Sequence, residues 1–343
     1  MYRKTILFVL YFIFLAITTK AQGFVSDVSK RGTSAAPFLA IGQGARAISL
    51  GSAFVGLSDD ESAIYWNPAG LAKLPGAGIM FDHTTWIANI SYNFVAAHYQ
   101  VPGFGTLGFG ITTSNIGDMK VTTIEEPEGT GEIFSATNTA FSIAYSLNLT
   151  DNFSIGFNPK YVMEKVWKMS ASAFAMDLGI QYRTPFDGVI LAMSFSNFGT
   201  KMQLSGNSTT VLYDPDPQTS GNNGKIPANI TTNEWSLPLI YRVGVCYAKD
   251  INEDNQVRMM VDALHPSDNY ESVNCGLEYT MFNSISLRGG YKSLFLKDSE
   301  ESYTMGFGLK KYMLGNVQVI LDYAYQKFGR FKDIQKFSVS MTF

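Results

Sequence analysis

The last residues of the chain, Lys336-Phe337-Ser338-Val339-Ser340-Met341-Thr342-Phe343, alternate polar and apolar without a break. A strand with this period turns every second side chain to one face, so Phe337, Val339, Met341 and Phe343 share a face and the serines and threonine share the other. This is the pattern of a closing strand in a membrane barrel, with the greasy face on lipid and the small polar face on the lumen. From Gly76 onward, fourteen such runs are separated by turn residues. They lie near residues 76–86, 89–101, 105–114, 136–147, 153–168, 171–183, 188–197, 236–248, 255–263, 271–280, 284–292, 301–312, 316–325 and 335–343. Phe174, Met176, Leu178, Ile180 and Tyr182 alternate with Ala175, Asp177, Gly179 and Gln181, and Leu239 to Tyr247 and Val317 to Tyr325 repeat the pattern. A soluble β-domain also alternates, so the connections must discriminate.

The connections fall into two classes. Tight turns follow the even-numbered runs: Pro102-Gly103-Phe104, Asn148 to Asn152, Thr184 to Asp187, Asp250 to Asp254, Met281-Phe282-Asn283 and Met313-Leu314-Gly315. Longer polar excursions, 115–135, 198–235, 293–300 and 326–334, follow odd-numbered ones. Short periplasmic turns and long extracellular loops have this asymmetry, and an even count puts both barrel ends at the periplasmic side. Gly179 to Tyr182, Gly244 to Tyr247 and Gly276 to Tyr279, with Tyr145 and Tyr312, lie near one set of strand ends. Trp86, Trp167, Tyr291 and Tyr325 lie near the other. Two aromatic rows bounding a greasy band are interfacial girdles. The fold predicted is all-β: a transmembrane antiparallel barrel of about fourteen strands over residues 76–343.

Residues 1–21 read as a secretory signal: Arg3 and Lys4, an apolar run from Ile6 to Ile17, then Thr19-Lys20-Ala21. The run is short for a bilayer span, and no later stretch reaches the roughly 18 unbroken apolar residues of a membrane helix. Removal of Arg3, Lys4 and Lys20 lowers Lys+Arg from 26 to about 23 against 29 acidic residues. No basic surface for nucleic acid is expected. Cys246 and Cys275 fall on opposite strand parities, so a disulfide is not expected, and two isolated thiols make no metal cluster.

Residues 22–75 have another texture. Phe38 to Val55 is small and apolar, with Gly42, Gly44 and Gly51, and Arg46 as its one charge. Ser58-Asp59-Asp60-Glu61 then suggests a helix capped by Ser58 or Asp59, and Asn67-Pro68 a second cap and first turn, closed by Gly70. Two short helices would fill the lumen as an amino-terminal plug. Arg46, if enclosed, needs an acidic partner, for which Asp59, Asp60, Asp177 and Glu278 are candidates.

Over residues 33–72 the chain resembles a family. Gly44-Ala45-Arg46-Ala47, Leu50-Gly51-Ser52-Ala53, Asp59-Asp60 and Tyr65-Trp66-Asn67-Pro68-Ala69-Gly70-Leu71-Ala72 are similar to the amino-terminal signature of the PorV/PorQ proteins, FadL-like outer-membrane barrels of Bacteroidota and relatives. The resemblance implies a plug motif of Arg46, Asp59, Asp60, Trp66, Asn67, Pro68 and Gly70. It implies two alternative functions. One is type IX secretion, with cargo carboxy-terminal domains and the translocon as partners at the cell surface. The other is passive passage of a hydrophobic small molecule, with ligand or detergent in the lumen, outer-membrane lipid around the wall and exit through a gap. Gly156 and Pro159 in the fifth strand are candidates for a wall kink, since proline cannot donate to the ladder.

Catalytic, metal and cofactor residues are not expected. His83, His98 and His265 make no zinc pair and no Gly-x-Ser-x-Gly elbow occurs. Asp214-Pro215-Asp216-Pro217 with Asn222 and Asn223 offers oxygen ligands without a calcium-loop spacing. Inward charges of both signs (Lys160, Glu164, Asp177, Arg183, Arg242, Arg258, Asp262, Glu278, Arg288, Asp322) point to cross-strand ion pairs around a plug rather than to an ion-selective ring.

Overall fold

Fourteen antiparallel strands, each hydrogen-bonded to the next in sequence, close into a barrel when the first pairs with the last. The computed structural model describes residues 30–216, 218, 225–313 and 317–343, and Arg31–Phe343 forms one compact unit. The reading of residues 1–21 as a signal lies outside the described residues. In order the strands are Ala77–Thr85, Ser91–Val101, Gly105–Lys120, Ile133–Thr150, Phe153–Val166, Met169–Arg183, Val189–Gly199, Ile240–Asn252, Asn255–Pro266, Ser272–Met281, Ile285–Leu294, Glu301–Tyr312, Gln318–Phe328 and Ile334–Thr342. The seam runs from Gly78 opposite Thr342 to Thr85 opposite Gln335.

Side-chain parity follows the alternation. In the sixth strand Phe174, Met176, Ile180 and Tyr182 face outward and exposed, while Ala175, Asp177 and Gln181 are buried in the lumen. In the last strand Phe337, Met341 and Phe343 face out, and Lys336, Ser338 and Ser340 face in. Cys246 is buried inside and Cys275, one register position off from Gly276 opposite Met260, is on the other parity; both are free.

Two expected loops are partly strand. The third strand continues to Lys120 and the fourth begins at Ile133, so the excursion at 115–135 is mostly a hairpin extension, with a register shift between Asn115 and Asp118. The connection between the seventh and eighth strands carries short ladders of its own, Thr210–Tyr213 with Ile226–Asn229 and Met202–Gln203 with Glu234–Trp235.

Inside the barrel the chain runs from one mouth to the other. Arg31 Nε donates to Asn269 Oδ1 (3.0 Å), Ser34 Oγ to Asp268 Oδ2 (2.7 Å) and Ala35 N to Ser236 O (2.9 Å), all on connections that follow odd strands. Long connections assign this end to the cell exterior. The chain leaves at the opposite end, where Gly76 O accepts from Gln100 N (2.7 Å) beside Phe343. Between them lie four short helical turns: Pro37–Ala40, Ala45–Ser49, Ala63–Trp66 and Pro68–Lys73.

The helix expected to start at Ser58 or Asp59 starts instead at Ala63, with Ser62 at its cap position. Ser58 Oγ instead donates back to Phe54 O (2.7 Å), and the Asp59 carboxylate is taken by Arg46 (2.7 Å). The Asn67 cap is present: its Oδ1 accepts from Ala69 N (3.2 Å), with Pro68 in the first turn. Gly70 does not close that turn but sits inside it, where a Cβ would strike the Ser58 carbonyl.

Candidate functional site

Arg46 is the electrostatic centre of the plug. Its Nη1 donates to Asp59 Oδ1 (2.7 Å) and lies 3.5 Å from Asp60, while Nε and Nη2 both donate to Glu278 (2.9 Å each). Glu278 also receives Arg258 (2.8 Å) and Arg288 (2.6 Å), and Arg288 reaches Asp322. Burying these charges is tolerable only because each has a partner. Of the four acids proposed for Arg46, Asp177 is elsewhere: it pairs with Lys160 (2.7 Å) and accepts from Asn197 N (2.7 Å). Asp60 Oδ1 also takes the backbone and hydroxyl of Ser62, which fixes the entry to the helix at Ala63.

Trp66 is buried, donates Nε1 to Gln43 O (2.8 Å), meets Phe54 edge-on at 6.3 Å, and carries the Arg242 guanidinium at 5.5 Å from a ring centroid. Asn67 caps its turn and also donates Nδ2 to Val55 O (3.1 Å) and to Ile180 O in the sixth strand (3.0 Å), so one side chain ties two plug segments to the wall.

The plug has little regular structure, so its backbone groups must be satisfied by other means. Inward polar side chains do this. Asp262 Oδ2 accepts from Phe54 N (2.7 Å) and Val55 N (2.9 Å), Gln181 Nε2 donates to Gly56 O (2.8 Å), Asn158 Nδ2 to Ile64 O (3.0 Å) and Asn148 Nδ2 to Ala72 O (2.9 Å). At the seam, Asp82 accepts from Gly44 N (3.1 Å) and Lys336 (3.0 Å), Ser338 Oγ accepts from Ala45 N (2.7 Å), and Lys336 donates to Gly42 O (2.7 Å).

Glycines on the inner wall let the plug come closer than any other residue would allow. A Cβ at Gly156 would run into Pro68 and Ala69, and one at Gly179, its cross-strand partner, into Asn67. Gly276 and Gly290 seat Leu50 and Gly51, Gly306 seats Ser49, and Gly108 and Gly110 seat Leu71 and Ile64. Gly156 therefore faces the plug. Pro159 faces outward, and around it the ladder between the fourth and fifth strands keeps one register, Ser142 opposite Lys160 and Tyr145 opposite Phe157, but skips the two positions between. Behind this skip is a cavity of about 20 Å³, lined by Gln43, Tyr92, Phe94, Ser142 and Asn158 among others, with room for about one water. A polar recess of about 370 Å³ opens at the periplasmic mouth and reaches Arg46, Arg258 and Glu278.

At the extracellular end the connections form a raised platform. Trp167 N donates to Ser135 O (3.1 Å), Lys168 pairs with Glu132 (3.4 Å), and Asn207 N donates to Lys168 O (3.2 Å), which joins the 121–132 hairpin, the 167–168 turn and the 200–239 connection. Ile124, Leu212, Tyr213, Ile230 and Trp235 are exposed on it. Among the described residues no group of three or more His, Cys, Asp or Glu is placed to hold a metal ion. His98 is buried against Glu61 (3.3 Å), His83 is on the outer wall and His265 is exposed with Glu271 (2.9 Å).

Sequence parity located the ion-pair partners and the inward glycines but not which plug residue each would meet. Asp82, Lys336 and Ser338 were missed as plug contacts, although two charges on inward positions of adjoining strands were a visible signal.

A closed barrel with an apolar outer wall and a lumen filled by its own amino-terminal segment is a plugged β-barrel of the outer-membrane type. The family described as type IX secretion system protein PorV has a model that matches residues 26–262, and the chain belongs to that family. Among curated proteins none matches by sequence. The fold is similar to the Pseudomonas putida toluene transporter TodX (14% identity, TM-score 0.56) and the Ralstonia pickettii toluene transporter TbuX (11%, TM-score 0.55), each alignment covering 88% of this chain and 97% of the other. It is similar also to the CymD monoaromatic hydrocarbon channel (13%, TM-score 0.51, 88% and 96%).

Proposed function

We propose that this barrel serves type IX protein secretion in the outer membrane of a Bacteroidota-like cell, with its extracellular platform binding the translocon, the carboxy-terminal domains of cargo, or both. The observation that carries the reading is the seating of the plug: it is wedged into wall glycines on many strands and its backbone is bonded to inward side chains around the lumen. Such a plug favours a static barrel whose work is done on its surface. The exposed apolar residues of the platform suit a protein partner, because isolated loops this long have no role in holding a barrel together. Native pull-down followed by mass spectrometry tests it. Recovery of translocon components or surface cargo is expected, and recovery of neither, with an intact barrel, would overturn the reading.

The second reading is a passive channel for a hydrophobic small molecule. It is favoured by the skipped ladder beside Pro159 and by the small cavity directly inside it, and by the likeness in fold to transporters of toluene and a channel for monoaromatic hydrocarbons. A ligand or detergent molecule in the lumen of purified protein would support it. The cavity of about 20 Å³ is far below the roughly 300 Å³ at which small-molecule pockets begin, so passage would need the plug to move.

A further inference from the structure

The outward rows of the first, thirteenth and fourteenth strands change character near the extracellular rim. Toward the membrane centre they carry Phe81, Leu321, Tyr323, Phe337 and Val339. Nearer the rim the same rows turn polar, with His83 and Thr85 on the first strand, Gln335 on the last and Lys327 on the thirteenth. A polar side chain facing hydrocarbon is costly, so this stretch lies at headgroup depth. Trp86 stacks edge-on to Phe328 (5.4 Å) and Phe328 meets Phe331 (5.8 Å), an aromatic group of the kind found at that boundary.

Here His83, Thr85, Trp86, Lys332, Asp333 and Gln335, with Phe337 below, line an open recess of about 210 Å³ on the outer wall. Neighbouring charges are occupied: Lys327 pairs with Asp333 (3.2 Å), which also accepts the Tyr325 hydroxyl, and Arg330 pairs with Glu300 (3.3 Å). Among the described residues the Lys332 ammonium, the Thr85 hydroxyl and the Gln335 amide have no side-chain partner, and His83 uses only Nδ1, against Asn93 Oδ1 (2.7 Å).

We propose that this recess is a binding site for the phosphate-bearing headgroup of an outer-leaflet glycolipid. Lys332 supplies the charge, and Thr85 and Gln335 supply directed donors with the His83 ring beside them, a set that suits a tetrahedral oxyanion. Phe337, Phe81 and Tyr323 continue beneath as a surface for acyl chains. A soluble anion would find the Lys332 charge at the rim but no use for the apolar floor, and the recess opens sideways, where lipid is the neighbour. The site is independent of the secretion and channel readings.

The test is native mass spectrometry of the full chain extracted from outer membranes in mild detergent. Wild type is expected to retain about one phosphorylated glycolipid, and Lys332→Gln with His83→Ala to lose at least tenfold of that occupancy while keeping the heat-modifiable migration of a folded barrel. Lys165→Ala, which removes another exposed cation near the rim, at the end of the fifth strand, should leave retention unchanged; an equal loss there would reduce the effect to general rim charge and overturn the site. Delipidated protein is then titrated with lipid A, dephosphorylated lipid A and inorganic phosphate in separate arms. Binding of lipid A alone supports the proposal. Equal binding of the dephosphorylated form overturns the phosphate role, and equal binding of inorganic phosphate overturns the lipid. Lys332→Gln alone, an exposed substitution, keeps the test readable if the double variant fails to fold.

Discussion

Glu278 on the tenth strand holds Arg46 of the plug through two parallel hydrogen bonds of 2.9 Å each, the fork-on-fork geometry that fixes both position and orientation. Arg258 and Arg288 converge on the same carboxylate, so Glu278 is the point on which three guanidiniums depend. Breaking one side of such a buried arrangement costs about 3–5 kcal/mol, because it strands the other side. Arg46→Gln is expected to lower the thermal midpoint of the detergent-solubilised barrel. Glu278→Gln should lower it more, since it leaves Arg46 and Arg288 each short of a partner. The double variant should cost less than the sum, and strict additivity would mean the pair is not coupled.

The glycine seats make a second prediction. Gly156→Ala and Gly290→Ala push a methyl into plug backbone and Gly179→Ala pushes one into the Asn67 side-chain oxygen, and overpacking of this kind costs about 1–3 kcal/mol. Gly289→Ala adds its methyl to nearly open space beside Gly290, with only the Thr304 carbonyl at 3.9 Å, and is expected to stay within about 0.5 kcal/mol of wild type. Denaturant midpoints, with limited proteolysis at the plug, measure the contrast; four similar midpoints would count against close seating.

Pro159→Val should restore a donor to the fourth-to-fifth-strand ladder and raise stability by about 1 kcal/mol, the net worth of one hydrogen bond. The same variant separates the two functional readings. Under secretion it leaves cargo display unchanged, and under the channel reading it slows uptake of a hydrophobic probe. Faster or unchanged uptake would remove the wall gap from consideration.

Deleting 205–230 is expected to abolish cargo display on the cell surface while the barrel keeps its heat-modifiable migration. Epitope tags within 121–132 or 200–216 should be reached by antibody on intact cells. Wild-type secretion by the deletion would place the working surface elsewhere.

Much of the barrel was legible in the chain because one physical rule governs each strand: lipid outside and a packed polar lumen inside force period two, and many of the fourteen strands show it cleanly. The strand ends were less clear, since above the membrane the rule lapses, and the third and fourth strands continue as a hairpin through polar residues such as Asn115 and Asp118. The plug was legible as composition but not as geometry. Its short helices are set by what the wall offers: Asp59 could have been a cap, but Arg46 and Arg258 claim it. Gly156 looked like a weakness in the wall because sequence alone does not say what lies across the lumen, and Pro68 lies there. The Asp82–Lys336 pair joins residues at the two extremes of the barrel sequence, so its contact with Gly44 appears only once the first and last strands are side by side.

That seam has a consequence for biogenesis. The groups that hold Gly42, Gly44 and Ala45 are divided between the first and last strands, and Lys336 at full burial needs both Asp82 and the Gly42 carbonyl. A barrel that zipped shut around an empty interior would bring an uncompensated ammonium and unbonded peptide groups into its final junction, and a plug arriving later would have to reopen it. The order of chain emergence suits the alternative, in which the amino-terminal segment waits within the open sheet as a mandrel and the carboxy-terminal strand, the last to be delivered, locks the cylinder and its filling in a single step.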